Sequence, residues 1–400
     1  MRLIETNPEL ANLADRLASA RLVGADTEAA GYHRYHDRIC LLQLSTREGT
    51  TLVDTLAVDS LAALGPVFGD PEIETIFHDA DFDLRLLHRD HGIRARGLFD
   101  TKVAAQFVGE RAIGLASLLE AYLGVTLAKK YQRADWAKRP LPAAMLEYAA
   151  EDTRYLPELR DRLRERLVET GRLAWAEEEF RLLEEVQWED RDADDFLRLK
   201  NSRDLDPREL AVLREVHAVR ERVAEARDVA AFRVLSSEAL VELARSMPAS
   251  EQALRKTQGV GAATVARLGE QLLAAIVRGR ELPEAELPER PPRPPRPPYD
   301  PMLDELTDRL KAARDAVARK LGLDRGFLMS RDQLRSVARA RPGATAELAA
   351  LPGVRRWQID ALGESLVRAL RDAASAPSGP AESVDPGERR KHGPRDARAG

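Results

Sequence analysis

The 400-residue sequence has a single cysteine, Cys40, and no long uncharged stretch. One thiol excludes an intrachain disulfide framework and a metal site built from several cysteines. The longest uncharged runs, such as residues 60–69, are far shorter than the roughly 18 apolar residues that a membrane helix needs. The N-terminus, MRLIETNPEL, lacks the apolar centre of a signal peptide. We therefore expect a cytoplasmic protein that has no membrane partner.

The chain also lacks a strong charge of one sign, since 62 Lys and Arg residues face 67 Asp and Glu residues. The resulting formal net charge of −5 excludes a simple polycation but permits a local basic groove. Hydrophobic residues make up 44% of the chain, which is enough for more than one core. At roughly 100–200 residues per domain, the length predicts two to four domains.

Proline is concentrated in one place, where nine of the 19 residues from 283 to 301 are prolines. Successive prolines fix φ and remove amide donors, so we expect residues 283–300 to form an extended linker. A proline-rich ligand for another protein is the alternative reading of the same composition. After residue 372 the chain turns to small, polar and charged residues, which predicts a disordered tail over residues 373–400.

The segments that flank the linker repeat each other at a constant offset of 94 residues. Ser236 corresponds to Ser330 at this offset, and both serines stand where a helix N-cap belongs. Apolar residues at helical spacing accompany them in both copies. We therefore predict two copies of one small all-α bundle, over residues 203–282 and 301–372.

The first 190 residues follow a different pattern, with short strand-like runs early and amphipathic segments later. The predicted strands are residues 21–30, 39–45, 51–53 and 73–78. The predicted helices are residues 7–20, 82–91, 115–123 and 143–168. This order favours an α/β domain in which helices flank a mixed sheet.

Two carboxylates, Asp26 and Glu28, lie two residues apart on the first predicted strand, so they project from the same face. Neighbouring carboxylates repel each other and raise each other's pKa unless a cation compensates them. Mg²⁺ and Mn²⁺ are the cations that prefer such oxygen ligands. The pair alone is weak support for a metal, because most such pairs are strand-end turns or solvated acids.

Two later elements carry further acids. The junction HDADFDLRLL places Asp83 in the first turn of a helix, at the sheet edge where open α/β proteins bind ligands. Asp79 and Asp81 compete with it for this role. On a later predicted helix, Tyr148 and Asp152 lie four residues apart and so share a face. A core phenol beside a surface acid is the alternative interpretation.

The combined order of Asp-Thr-Glu, His-x4-Asp and Tyr-x3-Asp resembles the tyrosine-bearing subclass of the DEDD superfamily of 3′→5′ exonucleases. Within it, GADTEAAGYHRYHDRICLLQLST, HDADFDLRLLHRDHGI, and KKYQRADWAKRPL followed by YAAEDTRYL resemble the ribonuclease D family. The two repeats resemble HRDC domains, which are helical nucleic-acid-binding modules. The resemblance implies a ribonuclease H-like α/β catalytic domain over residues 1–190, followed by two small all-α helical bundles.

The resemblance also implies a mechanism. Asp26, Glu28, Asp83 and Asp152 would hold two divalent ions, Mg²⁺ or Mn²⁺. Tyr148 would orient or help deprotonate the attacking water, and its ordinary pKa near 10 favours orientation. The expected products are nucleoside 5′-monophosphates released from RNA 3′ ends, and the implied substrates are precursor tRNAs and other structured RNAs.

The basic, aromatic segment KKYQRADWAKRP is the predicted substrate contact, because cations bind phosphates and aromatic rings stack on unpaired bases. Its candidate residues are Lys129, Lys130, Arg133, Trp136 and Arg139. The alternative is a core position for Trp136, with Arg139 and Asp135 bridging the loop. It is an equal alternative for Trp136, whereas substrate contact is favoured for the cations.

The HRDC-like copies are expected to recruit structured RNA. The second copy has 14 Lys and Arg against 10 Asp and Glu over residues 301–372, a net charge of +4. Two other functions compete with an exoribonuclease: a DNA-directed 3′→5′ exonuclease and a non-catalytic RNA-binding adaptor. The intact set of carboxylates argues against the adaptor, and a monomer is the default expectation.

Overall fold

The computed structural model describes residues 1–128, 130–189, 194–290 and 298–375. They form two compact units. The first comprises the described residues of Met1–Tyr299 with Leu321–Phe327, and the second comprises Asp300–Lys320 and the described residues from Leu328 onward. In these ranges, no helix combines the length and apolar content required to cross a bilayer.

The N-terminal part of the first unit contains, within the described ranges, a six-stranded mixed sheet in the order β1-β4-β3-β2-β5-β6. Its strands are β1 (Arg2–Ile4), β2 (Leu22–Ala29), β3 (Ile39–Thr46), β4 (Gly49–Asp54), β5 (Glu74–Phe77) and β6 (Leu98–Asp100). Strand β3 is antiparallel to β2 and β4, whereas the other pairs are parallel. The predicted mixed sheet is confirmed. The sequence pattern missed β1 and β6, because three residues are too few for a visible alternation.

Helices pack around this sheet. They are α1 (Asn7–Leu17), α2 (Gly65–Gly69), α3 (Asp81–His91), α4 (Thr101–Val108), α5 (Leu115–Leu123), α6 (Ala143–Arg154), α7 (Leu156–Glu169) and α8 (Leu173–Leu183). The single helix predicted over residues 143–168 is therefore two helices. Pro157 lies at the start of α7 and has no amide hydrogen to continue the ladder of α6.

Strand β2 extends past its neighbour β5. Its residues 24–29 pair with β3, but only residues 22–24 pair with β5. The far half of β2 therefore has an edge that β5 does not cover. The first turn of α3 meets this edge, which brings a helix terminus beside the strand.

The two helical bundles have matching elements. The first contains α9 (Pro207–Ala226), α10 (Ala231–Val234), α11 (Ser237–Ser246), α12 (Glu251–Leu254) and α13 (Ala262–Glu281). The second contains α14 (Pro301–Leu321), α15 (Arg325–Leu328), α16 (Arg331–Ala340), α17 (Thr345–Leu348) and α18 (Arg356–Ser375). Every helix of the second copy begins 94 residues after its counterpart. The hydroxyls of Ser236 and Ser330 accept the amides of Ala239 and Gln333, so both predicted N-caps are confirmed.

The predicted linker and tail are described only in part. Residues 291–297 of the linker and residues 376–400 of the tail lie outside the described residues. Helix α18 continues to Ser375, so the prediction of disorder from residue 373 was wrong by three residues. Two alanines, which favour helix, stand at this end.

Candidate active site

One cavity of about 330 Å³ gathers side chains from β2, α5, α6 and α7. It is lined by Asp26, Glu28, His78, Leu115, Gln132, Tyr148, Asp152 and Leu156. Four of the five residues that were predicted to carry the chemistry are therefore neighbours. The fifth, Asp83, does not line the cavity but lies beside it, against Thr27 of β2.

A glycine on β2 allows this convergence. A Cβ at Gly24 would lie 3.1 Å from the Cβ of Leu156 and 3.3 Å from the carbonyl oxygen of Thr153. Any side chain at this position would push the junction of α6 and α7 away from the strand. Gly24 precedes Asp26 on the same face, so the close approach brings Asp152 of α6 toward the strand carboxylates.

Asp83 is held at the uncovered edge of β2. The backbone amide of Thr27 donates to Asp83 Oδ1 at 3.1 Å, and the Thr27 hydroxyl donates to the same oxygen. The amide has no partner from β5 at this level, so the carboxylate satisfies a donor that would otherwise be unpaired. Asp83 is 7% exposed, so this carboxylate is buried.

The two competing aspartates of the junction face elsewhere. Asp81 forms an ion pair with Arg85 at 2.8 Å, and Asp79 forms one with Lys102. Neither lines the cavity. Of the three aspartates between residues 79 and 83, the structure brings only Asp83 to Asp26 and Glu28.

Burial and neighbouring negative charges raise the pKa of all four carboxylates. Burial, and then the charges of Asp83 and Asp152, raises the pKa of Asp26 well above its usual range. Burial, and then the charges of Asp152 and Asp83, raises the pKa of Glu28 to about 9. Burial is also the main cause that raises the pKa of Asp83 and of Asp152 to about 7. The cluster is therefore strongly electronegative once it ionises.

A divalent cation fits the chemistry of this donor set. Among the described residues that line the cavity, there is no Lys or Arg to offset the carboxylates. Hard cations such as Mg²⁺ and Mn²⁺ prefer carboxylate oxygens and would supply the missing positive charge. In the described part of the chain, no three Asp, Glu, His or Cys side chains converge closely enough to hold an ion as they stand. Binding would therefore require the carboxylates to turn toward each other.

The ring of Tyr148 is fixed by two other aromatic residues. Trp136 stacks on it at a centroid distance of 6.2 Å, and Tyr131 meets it edge-on at 5.7 Å. Burial, and then the charges of Asp152, Glu28 and Asp26, raises the pKa of the phenol above its usual range. The hydroxyl therefore stays protonated at neutral pH, which suits it to donate a hydrogen bond rather than to remove a proton.

His78 is a neutral member of the cavity wall. Its Nδ1 shares a 2.9 Å hydrogen bond with the hydroxyl of Thr101. Burial lowers the pKa of the imidazole to about 4, so it carries no charge at neutral pH. His78 can exchange hydrogen bonds with a bound group but cannot neutralise a phosphate.

Two of the predicted substrate contacts are corrected. Trp136 is 1% exposed and packs on Tyr148, so its ring has no free face for a nucleobase. Arg139 donates to Asp54 Oδ1 at 2.6 Å and to the carbonyl of Cys40 at 2.7 Å. Its other guanidinium nitrogens also bond to protein oxygens. Both residues fold the loop against β3 and β4 rather than reach outward.

The other predicted cations are Lys129, Lys130 and Arg133, and the structure describes two of them. Lys130 and Arg133 are exposed, and each lies over a tyrosine ring, Tyr131 at 5.4 Å and Tyr32 at 6.0 Å respectively. Lys129 lies outside the described residues. The exposed cations are therefore still able to meet phosphates.

Sequence reasoning missed several members of the site. Gln132 and Leu115 line the cavity, and Thr27 holds Asp83. Thr27 stands between Asp26 and Glu28, so strand alternation alone points its side chain away from theirs. Thr27 gains its role because α3 places Asp83 at the strand edge beside it.

Family comparisons cover most of the chain. The family profile described as 3′-5′ exonuclease matches residues 1–168, and the profile described as HRDC domain matches residues 209–276 and 304–370. Ribonuclease D of Gluconacetobacter diazotrophicus is 33% identical over 78% of this chain and 80% of that protein.

Solved structures agree with these matches. The crystal structure of Escherichia coli RNase D, described as an exoribonuclease involved in structured RNA processing, superposes with a TM-score of 0.69 at 28% identity. The superposition covers 92% of this chain and 98% of that one. The catalytic core of RRP6 from Trypanosoma brucei superposes with a TM-score of 0.62 at 30% identity, over 70% of this chain and 79% of that one.

Proposed function

Because the chain belongs to the ribonuclease D family and is a 3′→5′ exoribonuclease, we propose that the cavity around Asp26 is its active site. The proposed catalytic residues are Asp26, Glu28, Asp83, Tyr148 and Asp152. The reaction is hydrolysis of the terminal phosphodiester, with release of nucleoside 5′-monophosphates from the 3′ end. The proposed substrates are precursor tRNAs and other structured RNAs.

One observation carries this proposal: half-buried carboxylates with raised pKa values share a single cavity with a protonated tyrosine. Such an arrangement costs folding free energy in the absence of a cation. Perturbed carboxylates in a cleft are typical of functional sites. Asp26, Glu28, Asp83 and Asp152 would hold the divalent ions. When bound, these ions supply the charge that activates a water and offsets charge on the phosphate.

The protein's own side chains have separable roles. Tyr148 donates its hydroxyl hydrogen to the attacking water or to a phosphate oxygen, and the rings of Trp136 and Tyr131 keep that donor in place. Thr27 orients the carboxylate of Asp83. Leu115 and Leu156 give the cavity an apolar wall, which fits the sugar and base of the terminal nucleotide.

Substrate binding is proposed to extend beyond the cavity. Lys130 and Arg133 present exposed cations for phosphates. We propose a catalytic domain over residues 1–190 and RNA-recruiting modules over residues 203–282 and 301–372. Two weak modules on one chain raise the local RNA concentration at the site. We further propose a cytoplasmic location, because the buried Cys40 is a free thiol and a reducing compartment preserves it. We propose a monomer as the default state.

The decisive experiment offers 3′-labelled single-stranded RNA and DNA to the full chain with Mg²⁺, Mn²⁺ or EDTA. We expect labelled nucleoside 5′-monophosphate from RNA with either metal and none with EDTA. Internal cleavage products, or equal release in EDTA, would contradict the proposed site. Faster hydrolysis of DNA than of RNA would favour the DNA-directed alternative, because only RNA offers 2′-hydroxyls for recognition.

A further inference from the structure

Two large aromatic rings lie against each other on the surface of the first unit. Tyr32, just after β2, and Phe232, in α10 of the first helical bundle, have ring centroids 5.4 Å apart. Each residue remains 50% exposed although large apolar rings are usually covered. The contact therefore leaves aromatic surface open to solvent.

Two arginines surround these rings. The guanidinium of Arg233 lies 5.0 Å from the centroid of Tyr32 and 5.6 Å from that of Phe232, and Arg133 lies 6.0 Å from Tyr32. Among the described residues, neither arginine forms an ion pair with a carboxylate. We call Tyr32, Phe232, Arg133 and Arg233 the stacking platform.

Hydrogen bonds hold the platform together across the two domains. Arg233 Nε donates to the carbonyl of Tyr32 at 3.0 Å, and its terminal nitrogen donates to His33 Nδ1 at 3.2 Å. His33 in turn donates through Nε2 to the carbonyl of Arg133 at 2.9 Å. These bonds fix the guanidinium of Arg233 and the backbone at Arg133 relative to Tyr32 before any ligand arrives.

Two short chain segments connect the platform to the proposed active site. Tyr32 follows Glu28 by four residues, and Arg133 follows Tyr131, whose ring contacts Tyr148. Gln132, between these two, lines the cavity itself. A strand whose 3′ end occupies the cavity would therefore pass close to the platform.

We propose that the stacking platform binds an unpaired base of single-stranded RNA a few nucleotides upstream of the 3′ end. This inference rests on the proposed function and adds a binding site to it. Aromatic faces stack on any base, and the two guanidiniums, which pair with no carboxylate among the described residues, meet the flanking phosphates. The first helical bundle thereby contributes Phe232 and Arg233 to substrate selection at the catalytic domain.

The kinetic test compares full-chain variants on a ten-nucleotide single-stranded RNA and on a dinucleotide. For Phe232→Ala and Tyr32→Ala we expect about a tenfold higher KM on the longer RNA, from the loss of one stacked base. Phe232→Tyr keeps a ring and should stay near wild type. Tyr299→Ala, which removes an exposed ring elsewhere in the first unit, is the matched control. On the dinucleotide all variants should match wild type.

Two outcomes would overturn the platform. An unchanged KM on the longer RNA would show that no base stacks there. Equal losses on both substrates would show that the rings only join the two domains. The second measurement is cross-linking in EDTA to RNA with 4-thiouridine at successive positions from the 3′ end. Cross-links to Tyr32 or Phe232 from one upstream position are expected, and their absence contradicts the platform even if hydrolysis fails for another reason.

Discussion

Gln43 on β3 lies directly opposite Asp26 on β2, so the two side chains project from the same face of the sheet. Gln43 is fully buried, and within the described residues neither its Nε2 nor its Oε1 has a hydrogen-bond partner. A buried amide without a hydrogen-bond partner costs folding free energy. Its position beside a proposed metal ligand therefore indicates a role in the site. We infer that Gln43 orients the Asp26 carboxylate once that carboxylate is ionised.

Gln43→Leu tests this relationship. Replacing the amide by an apolar group of similar size should raise the free energy of unfolding in EDTA by about 1–3 kcal/mol. Exonuclease kcat should fall, because Asp26 loses a donor when it is ionised. Urea unfolding and single-stranded RNA kinetics measure both effects. Unchanged kcat in a stable variant would leave Gln43 without a role in the reaction.

Asp26→Asn and Asp152→Asn should each abolish 3′ trimming while the fold is kept, because an amide cannot supply a negative oxygen ligand. Product release from 3′-labelled RNA and far-UV circular dichroism report activity and fold. Asp81→Asn is the matched control, since Asp81 pairs with Arg85 away from the cavity. Full activity in Asp26→Asn or Asp152→Asn, or inactivity in Asp81→Asn, would show that the acids are misassigned.

The metal-free protein should lose stability as the pH rises. Folding raises the pKa of Asp83 and Asp152 to about 7 and that of Glu28 to about 9, so the folded state binds protons more tightly than the unfolded state. The contribution of these groups to the free energy of unfolding is therefore fully present below about pH 4. It is lost as the pH rises through 7 to 9.

Urea unfolding at pH 5, 7 and 9 in EDTA, and again with Mg²⁺, measures this dependence. Mg²⁺ should restore stability mostly at pH 7 and 9, where the carboxylates are ionised. Asp26→Asn should flatten the curve in EDTA. A stability that does not change over this range would mean that the carboxylates are already compensated by the protein.

Tyr148→Phe should separate the hydroxyl from the ring. The packing against Trp136 and Tyr131 is retained, so stability and KM should change little. The lost donor should lower kcat by about a hundredfold. Tyr148→Ala should lower both kcat and stability. If Tyr148→Phe keeps wild-type kcat, the hydroxyl has no part in the reaction.

Removing residues 301–400 should reduce the hydrolysis of structured RNA more than that of short oligonucleotides. The second bundle carries a net charge of +4 over residues 301–372 and is proposed to recruit RNA. The ratio of kcat/KM on a tRNA precursor to that on a ten-nucleotide RNA is the measurement. An unchanged ratio would contradict a recruiting role.

The segment KKYQRADWAKRP shows where sequence reasoning stopped. Its composition favours RNA contact for Arg139 and Arg133 alike, and leaves Trp136 evenly divided between RNA contact and the core. The structure separates them, because Trp136 is buried against Tyr148 and Arg139 is used by Asp54 and Cys40, whereas Arg133 is exposed. Composition gives residue types, but burial depends on which distant residues meet them.

The sequence by itself predicted the repeat, its N-caps and the mixed sheet, because these follow from spacing along one strand or one helix. The 94-residue offset and the pair Asp26 and Glu28 are local patterns of this kind. The sequence predicted the carboxylates through the resemblance of three combined motifs to a known family. Only the tertiary structure decided that Asp83 rather than Asp79 or Asp81 reaches β2, and that Phe232 meets Tyr32. Those contacts join residues that are far apart in the chain. Their spacing in the sequence does not distinguish the competing side chains, whereas packing and the uncovered edge of β2 do.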